Sequence, residues 1–182
     1  MPDSLARETG PDGRVAAWDA AVRLLRWSLA ALVLLDFFID DGGWQHRTIG
    51  YAAAGVVVAR WLWAMLAGGL AGLATLKPSL RGTLTYLRLG TPRTPGHDPL
   101  GVWMIWLLWS LVLLLGLTGW MSRLDVFWGD ERIHEVHAWL AEALLIAVAV
   151  HLSGIVAMSW RWRENLAAAM LTGRKRPIDR AE

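Results

Sequence analysis

Four stretches of mostly apolar residues, 22–41, 48–68, 101–121 and 138–158, constrain this chain of 182 residues more than anything else in it. Each is about 20 residues long, the length a helix needs to cross roughly 30 Å of hydrocarbon. Inside lipid every backbone polar group must be paired within the segment, which leaves helices as the solution for such stretches. The expected fold class is therefore all-α, an integral membrane four-helix bundle over 22–158, between an amino-terminal tail (1–21) and a basic carboxyl tail (159–182). A hydrophobic fraction of 55% favours that class over a water-soluble domain.

Charge sets the orientation. Arg7, Arg14, Arg23 and Arg26 lie at the start, Lys77, Arg81, Arg88 and Arg93 in the second connection, and Arg161, Arg163, Arg174, Lys175, Arg176 and Arg180 at the end. The other two connections hold only Arg47, Arg123 and Arg132, among Asp40, Asp41, Asp125, Asp130 and Glu131. The positive-inside rule then places both termini in the cytoplasm, so the basic residues speak for membrane orientation and not for nucleic acid. The opening residues lack the apolar core of a signal peptide and read as a cytoplasmic tail. A short surface helix is expected near 79–89, and a compact turn at 122–134. The stretch RWRENLAAAMLTGRKR pairs an amphipathic middle with basic flanks, a composition suited to lying on anionic membrane lipid.

There is no cysteine, hence no disulfide, no thiolate cluster and no covalently attached haem. Redox chemistry would need a non-covalent cofactor, which directs attention to the five histidines. His137 and His151 are fourteen residues apart on the fourth stretch. On a helix that is nearly four turns: one face, with about 21 Å between the two along the axis. Each could give an axial imidazole to a haem near one membrane surface. His46, at the start of the second stretch, has the depth of His137, so these two form the leading bis-histidyl pair. Polar side chains in lipid are costly, which favours function over simple hydrogen bonding for such a set. His134, one turn before His137, is the alternative ligand there or an interfacial residue.

The order of motifs resembles the bacterial cytochrome b561 family, which includes the cytochrome b subunits of membrane-bound nickel–iron hydrogenases. The matches are VRLLRW opening the first helix, HRTIGY and ARWLW on the second, GHDPLG before the third, HAWLAEALLIAVAVH along the fourth and RENLAAAMLTGRKR after it, together covering residues 18–176. The resemblance implies a four-helix bundle in the bacterial inner membrane, iron held as haem b, quinone as the lipid-phase partner, and a periplasmic cytochrome or oxidoreductase subunit as the other.

Members of that family usually carry R-x-x-H-W in the first helix, with the histidine ligating a second haem together with the second histidine of helix four. Here that position is Arg26. A guanidinium stays protonated and has no lone pair to give a metal. Three outcomes stay open, in this order: haem on His46 and His137 only; a five-coordinate haem on His151; or His97 of GHDPLG as replacement ligand. Arg26 and Arg60 are candidates for holding a haem propionate or quinone oxygen, with snorkelling to the interface as the plain alternative, favoured for Arg60. Asp36 reads as an interfacial acid or a proton relay, and Glu142 points away from the face of His137. Gly50, Gly55 and 52–54 make the second helix thin, for a porphyrin or for close helix packing.

The expected function is electron transfer between a periplasmic or membrane redox partner and the quinone pool of a respiratory chain through bis-histidyl haem b, one haem or two. Whether the chain is a carrier or a quinone-linked oxidoreductase subunit, and whether it forms a homodimer, is left open. The rival readings are a haem-depleted membrane anchor and a proton-coupled transporter. No Walker loop, dinucleotide fingerprint or zinc-protease pair is present.

Overall fold

The computed structural model describes residues 15–16, 19–39, 41–89, 98–127 and 129–175. His97, Arg93, Asp40, most of the amino-terminal tail and residues 176–182 lie outside the described residues. The described chain is all-helical apart from one two-residue strand pair. Its helices are α1 (Ala20–Phe38), α2 (Trp44–Leu66), α3 (Leu80–Leu89), α4 (Pro99–Met121), α5 (Glu131–Arg161) and α6 (Leu166–Thr172).

Among the described residues, α2, α4 and α5 are long and apolar enough to cross a membrane. The expected first span, 22–41, is a helix of 19 residues that ends at Phe38 and does not meet the same standard. The reason is its charge, with Arg23, Arg26 and Asp36 all within it. The three apolar helices bury few of their own residues and turn large side chains such as Leu107, Leu114, Leu145 and Ile146 outward. In water that surface would be costly, whereas lipid solvates it freely.

The chain divides into two compact units. One, here called the histidine unit, comprises Leu24–Leu62 and Met104–Leu152. Its helices approach closely where side chains are small. A Cβ on Gly116 would stand 3.2 Å from that of Ala54, and one on Gly50 would stand 3.5 Å from the Asp36 carboxylate. The thin face of α2 is thus used for packing at Gly50 and Ala54, while Gly55 meets nothing within 4 Å.

The other, the connecting unit, holds residues 1–23, 63–103 and 153–182. Asp19 caps α1 by accepting from the Val22 N–H at 2.6 Å, and its second oxygen accepts from Trp63 Nε1 at 3.1 Å. Val22 is buried with Ala71 and Ala67, and Arg23 donates to the carbonyl of Leu171 at 2.7 Å. Asn165 caps α6, Gly173 ends it with a φ of 75°, and Arg174–Lys175 pairs antiparallel with Val15–Ala16. The expected surface helix is α3. Its Thr83 accepts from Trp103 Nε1 at 3.1 Å, and Tyr86 donates to Asp98 at 3.3 Å. In GHDPLG, Asp98 caps α4, Pro99 opens it, and Gly101 leaves room for the capping carboxylate, which a Cβ would strike.

The turn expected over 122–134 is shorter. Asp130 accepts from the Arg132 N–H at 3.0 Å and Glu131 stands in the first turn, so α5 starts at Glu131 and not at 138. Both acids favour a helix beginning there. His134 is consequently helical.

Candidate functional site

His46 is the third residue of α2 and His137 the seventh of α5. In the histidine unit their ring centres are 6.1 Å apart, with planes at 78°. Each ring is held from behind. Nδ1 of His46 lies 2.9 Å from the carbonyl oxygen of Ile39, which can only accept, so this nitrogen carries the proton. Asp36 Oδ1 stands 3.1 Å from the same nitrogen as an ion-pair partner, without a hydrogen bond of its own.

The same reasoning assigns the proton of His137. Its Nδ1 is 2.8 Å from Thr118 Oγ1. That hydroxyl has one proton, and the carbonyls of Leu114 and Leu115, at 2.9 Å and 3.2 Å, can only accept it. The ring N–H therefore donates to Thr118 Oγ1. Both imidazoles are thus Nδ1–H tautomers whose Nε2 lone pairs are left for something else. Gly119 keeps the space beside His137 open, since a Cβ there would touch Cε1 at 3.5 Å.

The remaining candidates divide sharply. His134 is exposed, with Nδ1 3.4 Å from the carbonyl of Asp130 in its own helix, and takes no part in the pair. Glu142 is exposed as well. Arg60 departs from the snorkelling expectation. It is 7% exposed, with its guanidinium 5.9 Å from the Trp109 ring centre, because a cation over an indole face is stabilised without reaching water. Arg26 and His151 are both part-buried.

The family model for prokaryotic cytochrome b561 matches residues 17–173. The chain belongs to that family. No curated protein and no solved structure matches it. Membership makes the chain a membrane cytochrome that carries electrons on haem b. The His46 and His137 donors fit that group. Two imidazoles from different helices, their ring centres 6.1 Å apart and each with Nδ1 engaged, would hold the haem iron through Nε2.

One supporting residue, Thr118, escaped the sequence reading; its only signal is a single hydroxyl near the end of an apolar helix. Asp36, read there as an interfacial acid or a proton relay, stands beside the His46 ring.

Proposed function

We propose that this cytochrome passes electrons between a periplasmic or membrane redox partner and the quinone pool, with Nε2 of His46 and Nε2 of His137 as the axial donors to haem b. The single observation behind this is the pair itself, two part-buried imidazoles from different helices at 6.1 Å with both Nδ1 atoms already engaged. When bound, haem supplies a reversible one-electron centre. The protein's part is to orient the donors. Ile39 and Thr118 fix the tautomers, and the negative charge of Asp36 beside the His46 ring makes it a stronger donor.

In this reading α1 crosses the bilayer with α2, α4 and α5 as a four-helix bundle in the inner membrane. Two of its charges have partners that lower the cost, since Arg23 donates to Leu171 and Asp36 stands beside His46. Both termini are assigned to the cytoplasm by the distribution of Arg and Lys, which puts His46 and His137 toward the periplasm. An electron partner there would be a periplasmic cytochrome or oxidoreductase subunit.

The test is the absorption spectrum of purified, haem-replete protein, with haem counted as the pyridine haemochrome. A reducible low-spin Soret and α band is expected, lost in His46→Ala. A colourless preparation would leave the anchor or transporter reading standing, and survival of the low-spin band in His46→Ala would mean that the donors are paired wrongly.

A further inference from the structure

Fourteen residues separate His46 from Arg60 on α2, and fourteen separate His137 from His151 on α5. On both helices the second residue therefore stands about 21 Å along the axis from the first, within roughly 40° of the same face. The two helices that bring His46 and His137 together thus carry a second level of the histidine unit, to which α1 adds Arg26 and α4 adds Trp109. On α1, Arg26 stands ten residues, about 15 Å along the axis, from Asp36, the acid beside His46, and on α2 Arg60 is buried against Trp109.

The geometry of this second level resembles the first, but its donor chemistry does not. The first level offers two imidazoles with free Nε2 atoms. The second offers one imidazole, His151, while the residues that α1 and α2 bring to this level, Arg26 and Arg60, are guanidiniums. These stay protonated and have no lone pair to give iron. His46, His134 and His137, the other histidines among the described residues, all belong to the opposite end of the unit.

We infer that Arg26, a fixed cation with no lone pair to give, leaves this level one donor short and keeps haem from it, so the chain carries one haem b, on His46 and His137. This rests on the proposed ligand pair. Its consequence concerns the route of electrons. With a single haem at one membrane depth, donor and acceptor must both approach that depth, and the chain is not a two-haem wire from one surface to the other. Arg26 then acts as a determinant of cofactor number. An imidazole in its place would give this level a second donor.

The experiment counts haem per chain in the full-length protein, prepared haem-replete, by pyridine haemochrome against quantitative amino-acid analysis. One haem is expected in the wild type, and one in His151→Ala with the same low-spin band. His151→Gln gives the same reading if the alanine variant does not accumulate. Arg26→His is expected to raise the ratio from one to two. Two haems in the wild type overturn the inference while leaving the His46 and His137 pair intact. So does the loss of haem on replacing His151, or a ratio of one in a well-folded Arg26→His. No haem in the wild type overturns the ligand pair itself, and the count with it.

Discussion

The two levels of the histidine unit share a spacing and differ in what stands on it. At the first, His46 and His137 meet at 6.1 Å, each backed by an acceptor that settles its tautomer. At the second, His151 stands fourteen residues along α5 from His137, and Arg60 lies buried over Trp109. Helical periodicity repeats a position, but it does not repeat a chemistry. A metal centre needs lone pairs aimed at one point, and a level carrying guanidiniums has exchanged lone pairs for fixed positive charge.

The comparison breaks most visibly at His137. Its replacement by alanine removes one of two donors, and the expected result is loss of the low-spin spectrum. The fall in haem affinity should be at least the ~10–100-fold that loss of an outer partner costs. Retention of a six-coordinate spectrum would mean that the first level is no better supplied with donors than the second. Asp36→Asn should act next in size. Haem stays bound, and its midpoint potential rises, because a neutral amide makes the His46 ring a weaker donor and favours the ferric state less. A redox titration reads this, and an unchanged or lowered potential would separate Asp36 from the site.

Thr118→Val keeps the shape of the side chain but leaves the His137 N–H without its acceptor, at a cost of about 1–3 kcal/mol. Faster haem loss with a preserved low-spin band is expected, with Thr118→Ser restoring retention. The smallest effect belongs to the connecting unit. Burial, and then the nearby Asp98 carboxylate, hold the Tyr86 phenol above its ordinary value of 10.0. A proton bound more tightly in the folded chain than in the unfolded one stabilises the fold below that ordinary value, and this stability is lost as pH rises through the folded value. Tyr86→Phe should therefore cost about 0.5–1.5 kcal/mol at neutral pH and flatten the alkaline loss of thermal stability, with the haem spectrum unaltered.

Much of the fold could be read from the chain, for a physical reason. Apolar length is a local property, and α2, α4 and α5 follow from it. Limits of a few residues came from capping, as where Asp130 and Glu131 start α5 early. The first helix showed the limit of that approach. Its apolar content suggests a span, but Arg23, Arg26 and Asp36 leave it short of the apolar character of the other three. At the site, the fourteen-residue step from His137 to His151 and the shared depth of His46 were open to view, as was the guanidinium at position 26.

What could not be read was who stands behind each ring. The contacts of Asp36 with His46, Thr118 with His137 and Arg60 with Trp109 cross between helices. The sequence by itself determined the helices, their family and the axial spacing of the candidate donors, since these follow from composition and from a fixed rise per residue. Only the tertiary structure decided that two imidazoles face each other with their Nδ1 protons engaged, and that Arg60 is buried instead of reaching outward. Such choices depend on how neighbouring helices rotate to bury their small faces, and no spacing within one helix encodes that rotation.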